Sequence, residues 1–308
     1  MNDLLFIGNP EAGKGRTLRA WPHLAETLKA AGISHEIRWS DRKDHARELA
    51  CQAMSEGPGL IVGFGGDGTA HQVINGMVDS GIHNGNTAFT TFPVGTGNDW
   101  SRYWKIPHRV HDWVEMVKRR NIHDHDLGLI VYTDDQGQEK QQVFNNVAGA
   151  AYDAYVVDYI ESRKKKMSAG GLQYLWFIFR CLFSYRLQSS RISWPGGRET
   201  DRFYTINIGL CPYSGGGLHL LPHAHPQSGV LAVTAVRPVS KLQVFLLSPL
   251  FYSGKIIRHH RVIHFSTESL VLEAASGEII KIEAEGELLG NFPARISVIK
   301  KGLKICAP

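Results

Sequence analysis

Three glycine-rich segments, residues 8–15, 63–69 and 93–99, contain the groups best suited to hold phosphate. A turn without bulky side chains that leads into a helix can present its backbone amides to an anion. Asp67 and Asp99 add carboxylates to the second and third segments. A carboxylate among phosphate-binding amides would repel the phosphate unless it holds Mg²⁺ or activates the attacking group. The pattern therefore predicts a phosphate and metal site.

The first two segments each approach a known nucleotide motif without completing it. Segment 8–15 follows G-x-x-x-x-G-K-[ST] until its last position, where Gly15 replaces the magnesium-binding hydroxyl of a classical P-loop. Segment 63–69 contains G-x-G-x-x-G, but the next predicted strand, 87–92, lacks the acidic residue that would hold a dinucleotide ribose. Both enzyme classes are therefore disfavoured. An ordinary βα turn is the alternative for the first segment, and helix capping is the alternative for Asp67.

Alternating strand and helix patterns must position these segments. Strands are predicted at 4–8, 34–39, 60–62 and 87–92, with helices at about 16–31, 41–54 and 69–78. This alternation predicts an α/β nucleotide-binding domain, a parallel sheet with helices on both faces. Each glycine-rich segment follows a strand, so all three should lie at the carboxyl edge of the sheet, where such sheets bind ligands. Ser40 or Asp41 is predicted to cap the second helix.

A change of texture near residue 128 predicts a second domain. Runs rich in β-branched residues, separated by turn residues, indicate a β-rich sandwich or barrel-like domain. We therefore expect domains at 1–128 and 129–308, with room for the C-terminal end to return to the first. A helical segment is predicted at 172–187, and the apolar stretch 242–252 is expected to pack in the core.

Composition narrows the function classes. The chain has 308 residues, of which 43% are hydrophobic and 20% charged, which excludes a disordered chain. The net charge of +5 permits a phosphorylated ligand, nucleic acid or an anionic membrane. Four of the positive charges lie together at 163–166, so we expect no nucleic-acid partner. Segment 163–187 then has two interpretations, peripheral contact with anionic lipid or a buried helix behind a solvated basic run.

The expected location is cytoplasmic, with peripheral contact at the inner face of the membrane. The N-terminal residues lack a signal-peptide pattern, no run reaches the roughly 20 apolar residues of a membrane span, and the four cysteines form no CxxC pair. A homodimer is compatible with the sequence.

An ordered set of motifs resembles the diacylglycerol kinase catalytic-domain family, which includes bacterial soluble lipid kinases and sphingosine kinases and is distantly similar to NAD kinases. The resemblance covers nearly the whole chain. The motifs occupy residues 9–13, 65–69, 93–99, 146–153, 215–218 and 285–287.

This resemblance implies a two-domain kinase that binds ATP at the glycine-rich edge of the first domain and lipid in the second. Asp67 and Asp99 would organise Mg²⁺. The residues implied to contact the nucleotide are Asn9, Pro10, Glu11, Ala12, Gly13, Ser40, Gly65, Gly66, Asp67, Gly68, Thr69, Gly95, Thr96, Gly97 and Asn98.

The last motif is implied to supply the catalytic base. It is usually D-G-E in bacterial members, and one carboxylate is taken as the base for the lipid hydroxyl. Here it is Glu285-Gly286-Glu287. Glu287 keeps the family residue and is the first candidate, and Glu285 is the second. At 227–231 this chain lacks the acidic residues that bacterial relatives carry there, so whether it has their second magnesium site is an open question.

The expected function is an ATP-dependent lipid kinase that transfers the γ-phosphate to a diacylglycerol- or sphingoid-like hydroxyl, with Asp67 grouped among the catalytic residues. Two alternatives stay open. One is an NAD kinase-like phosphotransferase acting on a soluble ribose, and the other is a non-catalytic nucleotide- or lipid-binding regulator. The motifs do not name the lipid.

Overall fold

A computed structural model of the protein describes residues 3–82, 86–162 and 180–308. The chain divides into two compact units. The first unit contains Met1–Leu127 and Lys300–Pro308, and the second contains Gly128–Ile299.

The first unit is built on a parallel sheet. Its strands are β1 (Leu4–Gly8), β2 (His35–Trp39), β3 (Leu60–Gly65) and β4 (Ala88–Pro93). They lie in the order β2-β1-β3-β4, and the end of β17 (Glu287–Cys306) runs parallel to β4, with Ile305 opposite Phe89. Strands β1 and β3 are buried along their whole length, as expected for the continuous apolar runs of a parallel sheet.

Five helices accompany these strands. They are α1 (Ala12–Ala30), α2 (His45–Glu56), α3 (Asp67–Asp79), α4 (Asp99–Tyr103) and α5 (Val110–Arg119). Aromatic rings fill the space between helices and sheet: Phe6 of β1 meets Trp21 of α1 edge-on at 5.2 Å and Trp113 of α5 at 5.8 Å. Such contacts add to the burial that holds the helices on the sheet.

The predicted cap of α2 was wrong. The helix begins at His45, and the residue before it, Asp44, adopts a left-handed conformation with φ of 62°. Ser40 instead donates from its backbone nitrogen (2.8 Å) and its hydroxyl (3.2 Å) to the carbonyl oxygen of Gly8. Ser40 thus fastens the end of β2 to the end of β1, and it lies five residues before the first residue of the helix, too far to cap it.

The second unit is antiparallel and β-rich. Its strands are β5 (Ile122–Thr133, which begins in the first unit), β6 (Glu139–Phe144), β7 (Val147–Ala151), β8 (Ser190–Trp194), β9 (Gly197–Asp201), β10 (Thr205–Gly209), β11 (Tyr213–Ser214), β12 (Leu218–His219), β13 (Leu231–Val236), β14 (Val262–Thr267), β15 (Ser269–Ala274), β16 (Lys281–Ala284) and the first part of β17. The central order is β14-β13-β10-β7-β16-β17, and β15 joins β17 to β8. The predicted fold class, an α/β domain with parallel strands followed by a β-rich domain, is confirmed.

Alternating strand residues form the core of the second unit. Ile208 of β10, Val233 of β13 and Ile282 of β16 are fully buried in one hydrophobic cluster. The described helices are α6 (Tyr152–Glu161), residues 180–184, α7 (Lys241–Ser253) and a 3-10 turn at Lys255–Arg258. No helix in the described ranges is both long and apolar enough to span a bilayer.

The expectation that 242–252 packs in the core was wrong. This stretch forms most of α7, and none of the 13 residues of that helix is buried. An apolar run predicts a helix that must pack against another apolar surface, but it does not show whether that surface is the protein's own core. Most of segment 163–187, for which lipid contact and a buried helix were the two interpretations, lies outside the described residues.

Candidate active site

The ends of β1, β3 and β4 bring the three glycine-rich loops together. The Val94 amide donates to the carbonyl of Gly65 at 2.8 Å. A Cβ on Gly95 would lie 2.7 Å from the Cα of Gly66, and a Cβ on Gly13 would lie 2.7 Å from the carbonyl oxygen of Val94. Real Cβ atoms do not approach other atoms so closely, so these loops can converge only because glycine occupies positions 13 and 95.

The first loop explains why its P-loop motif is incomplete. Gly13, Lys14 and Gly15 are consecutive left-handed residues, with φ values of 58°, 60° and 75°. Glycine adopts this region without steric cost, whereas a residue with a Cβ is strained there. The turn therefore favours glycine at position 15 over the serine or threonine of a classical P-loop. Asn9 closes the loop's entry, because its side-chain oxygen accepts from the amide of Glu11 at 2.9 Å.

The Asp67 carboxylate faces the first turn of α4. Although Asp67 begins α3, the residue before that helix, Gly66, has no side-chain cap. The Oδ2 of Asp67 accepts from the Asp99 amide at 3.4 Å, and the amides of Asn98 and Trp100 also interact with the carboxylate. Burial, followed by the charge of Asp99, raises the pKa of Asp67 to about 6, while the amides lower it. The contacts do not support the alternative in which Asp67 caps its own helix.

Asp67 and Asp99 form a pair that fits a nucleotide-borne Mg²⁺. A Cβ on Gly97 would lie 3.0 Å from Oδ2 of Asp67 and 3.8 Å from Oδ2 of Asp99, so both carboxylates border the same glycine. A divalent cation would relieve the repulsion between them. Mg²⁺ commonly uses one or two carboxylates and takes its other ligands from water and phosphates. Among the residues described, no group of three or more His, Cys, Asp or Glu has metal-binding geometry.

A buried hydrogen-bonded chain fixes α4, the helix that carries Asp99. The indole nitrogen of Trp100 donates to Nε2 of His125 at 3.0 Å, and both residues are buried. The Nδ1 of His125 contacts the carbonyl oxygen of Asp126. Nδ1 must therefore carry the proton, since Nε2 accepts. Burial lowers the pKa of His125 to about 4, so the ring stays neutral near pH 7 and holds this arrangement.

Arg16 and Arg19 are site residues that sequence reasoning missed. They line a cavity of about 580 Å³ together with Gly95, Asn98 and His108. Nε of Arg16 donates to the carbonyl of Gly13 at 3.1 Å, so the first loop orients this guanidinium. Arginine suits phosphate recognition because its planar fork can bind two oxygens at once. The available signal was spacing: two arginines three residues apart, on one helix face, directly after the loop.

In the second unit, Glu285 is tied to the connection between β6 and β7. It lies in the tight turn between β16 and β17 with φ of 55°. Its Oε1 accepts from the amides of Asn145 at 3.0 Å and Asn146 at 2.6 Å. Its own amide donates to the carbonyl of Val147 at 3.0 Å. Glu287, the first residue of β17, is half-buried. Glu285 is half-buried as well.

Asp153 and Glu283 form a buried acidic pair beside that turn. Glu283 accepts from the Gly286 amide at 2.8 Å, and Asp153 accepts from the Thr205 hydroxyl at 2.5 Å. A Cβ on Gly149 would overlap Oε1 of Glu283 and lie 3.3 Å from Oδ2 of Asp153, which explains glycine in motif 146–153. Burial raises the pKa of Asp153 to about 6, and burial followed by the charge of Asp153 raises that of Glu283 well above its usual range.

Sequence reasoning gave this pair no role. Asp153 ends a quoted motif, and Glu283 continues the every-second-residue spacing of the glutamates at 285 and 287. That spacing does not place the three glutamates on one strand face, because the turn at 285–286 separates β16 from β17, so the sequence offered no reliable signal for Glu283.

Comparison with known proteins gives consistent matches to both units. Residues 3–130 match the diacylglycerol kinase catalytic domain, and residues 146–307 match the YegS C-terminal NAD kinase beta sandwich-like domain. A diacylglycerol kinase of Mycobacterium tuberculosis is 26% identical, over 98% of this chain and 94% of its own length.

Two solved structures share the fold. A diacylglycerol kinase structure from Bacillus anthracis aligns with a TM-score of 0.72 at 20% identity, over 100% of this chain and 97% of the other. The yeast NADH kinase, complexed with NADH, aligns with a TM-score of 0.54 at 13% identity, over 99% and 82%. At these identities the likeness concerns the fold alone.

Proposed function

Because the chain belongs to the diacylglycerol kinase catalytic-domain family, we propose that it is an ATP-dependent lipid kinase that transfers the γ-phosphate of ATP to a lipid hydroxyl. Family membership itself indicates a phosphotransferase with an alcohol acceptor. The observation that carries the finer proposal is the convergence of Gly13, Gly66 and Gly95 beside the half-buried Asp67. We further propose that the protein works in the cytoplasm at the inner face of the membrane, where both ATP and a lipid acceptor would be within reach.

The first unit would hold the nucleotide through its loops. The first amides of α3 have no partner within the helix and point toward an anion at its N-terminus. Arg16 and Arg19 would bind phosphate oxygens from the neighbouring cavity. Asp67 and Asp99 would hold Mg²⁺, which when bound supplies charge neutralisation on the phosphates. The chain's own contribution is positioning, which is most of what phosphoryl transfer requires.

In the second unit, Glu287 is the better candidate for the base. Two amide donors already occupy Oε1 of Glu285, and its carboxylate joins the turn to the β6–β7 connection. We therefore assign Glu285 to positioning the turn and Glu287 to accepting the proton of the lipid hydroxyl. General-base catalysis of this kind contributes about 10² to 10⁴ in rate.

A labelled-transfer assay tests the proposal. The protein is incubated with γ-labelled ATP or GTP and a total lipid extract, and the labelled product is identified. Lipid-dependent transfer from ATP supports a lipid kinase. Transfer to NAD in place of lipid would instead support the NAD kinase alternative. Nucleotide binding without transfer to either acceptor would support the regulator. Asp67→Asn is the inactive control.

A further inference from the structure

Helix α7 and a neighbouring aromatic residue form an exposed apolar surface. Leu242 and Leu246 are 68% and 65% exposed, and Tyr252 is 57% exposed. Phe183 is 70% exposed, and Nζ of Lys241 lies 5.7 Å from the centre of its ring. We call these four apolar side chains the α7 surface. A helix that is apolar around its whole circumference is normally buried, so this one calls for a covering partner.

The charge around α7 favours an anionic partner. Residues 202–267 include no Asp or Glu, although they contain six Lys or Arg and six His. Lys241 begins α7, and Lys255, Arg258 and Arg261 follow its end; all four are exposed. An anionic membrane attracts such cations, and each one near the surface strengthens binding about fivefold. Because residues 202–267 contain no carboxylate, this stretch would not repel anionic headgroups.

The backbone of α7 suits an apolar environment. Pro249 has no N–H, so the carbonyl of Phe245 loses its helical donor. The Ser248 hydroxyl donates to that carbonyl at 2.8 Å. At the N-terminus, Ser240 and Gln243 form a capping box. Polar backbone groups left unsatisfied in a lipid environment are costly, and these contacts supply partners from within the helix.

We propose that α7 lies in the interface of a bilayer that contains anionic lipid. The α7 surface would sit among the upper acyl chains, with Lys255, Arg258 and Arg261 at the level of the headgroups. Thirteen residues are too few to span a bilayer, and a short apolar helix that is not buried in a core can lie at the membrane interface. The inference goes beyond the proposed function, because it concerns binding and requires no turnover.

Vesicle co-sedimentation without nucleotide tests this placement. The protein should bind vesicles of phosphatidylcholine mixed with phosphatidylglycerol more tightly than vesicles of phosphatidylcholine alone. The double variant Leu242→Gln with Leu246→Gln should lose more than about tenfold in affinity for both, since each leucine buries apolar area in lipid. The double variant Lys255→Gln with Arg258→Gln should lose about fivefold per charge, on anionic vesicles only.

Matched controls alter similar side chains elsewhere. Ile279 of the same unit is 70% exposed, and Ile279→Gln should leave binding unchanged. Lys29 and Lys43 are exposed in the first unit, and replacing both with Gln removes the same charge as the α7 variant. Equal loss in these controls would mean that binding follows overall polarity or charge, which overturns the proposal.

Two further outcomes would also overturn it. The leucine variant could bind vesicles as tightly as the original protein. Alternatively, sedimentation equilibrium could show that the original protein is a dimer and the leucine variant a monomer, while both bind vesicles equally. That result would assign the α7 surface to contact with a second copy of the chain. Loss of kinase activity does not enter the measurement: an inactive protein that binds in the predicted pattern contradicts the proposed function and supports this inference.

Discussion

Replacing Asp67 with asparagine should abolish phosphoryl transfer and stabilise the protein at neutral pH. Burial and the Asp99 charge raise the pKa of Asp67 from 3.8 to about 6. The ionised carboxylate therefore disfavours the folded state. This penalty is absent below pH 3.8, the ordinary pKa, and complete above about 6.

The magnitude follows from the shift. A rise of about two pKa units corresponds to about 3 kcal/mol at 1.36 kcal/mol per unit. The asparagine oxygen can still accept from the amides of α4, but it has one acceptor group fewer. We therefore expect a net gain in the free energy of unfolding of about 1–3 kcal/mol at pH 7–8.

Urea unfolding of both proteins across a pH series measures this gain. The difference in stability between Asp67→Asn and the original protein should be near zero below about pH 4 and should rise through about pH 6. All other carboxylates are present in both proteins, so the difference reports Asp67 together with its coupling to Asp99. Added Mg²⁺ should narrow the gap at pH 8, because only the carboxylate binds it well. A difference in the free energy of unfolding between the two proteins that stays constant across the pH series would refute this reasoning.

Three further predictions concern the other site residues. Glu287→Gln should lower the transfer rate by about 10² to 10⁴ and leave the KM for ATP unchanged. Glu285→Gln should lower the melting temperature as well as the rate. A melting temperature of Glu285→Gln equal to that of the original protein would contradict the positioning role. Arg16→Gln and Arg19→Gln should each raise the KM for ATP, measured from initial rates, about tenfold or more. The free energy of unfolding should stay unchanged. An unchanged KM would show that the cavity is not part of the nucleotide site. Glu283→Gln should change the free energy of unfolding by less than about 1 kcal/mol near pH 7, because burial and the charge of Asp153 raise the pKa of Glu283 and so favour its uncharged form, which glutamine resembles. A large loss in chemical denaturation would contradict this.

Much of the first unit was predictable because its patterns are local. Apolar runs followed by glycine predicted β1, β3 and β4 and the loops after them, and parallel pairing requires those loops to share one edge. The cap of α2 was not predictable. Ser40 has a suitable side chain, but contact with Gly8, 32 residues away, holds it at the end of β2, and the helix begins only at His45.

The candidate site carboxylates show the same division. Sequence placed Asp67 in a glycine turn and Glu285 beside Glu287. Only the folded chain revealed that Asp67 faces α4 and that Glu285 is held by amides some 140 residues distant. No role was predicted for Glu283, because its raised pKa arises from burial and from the charge of Asp153, which a linear pattern does not display.

The sequence by itself determined the fold class, the family motifs and the glycine positions where backbone can meet phosphate. These depend on residue type, spacing and the periodicity of strands and helices. Tertiary structure alone decided which side chains are buried, which groups accept which hydrogen bonds, and that α7 is exposed. Burial and charge coupling arise when distant segments pack together, and they set the pKa values and the accessible surfaces through which the protein acts.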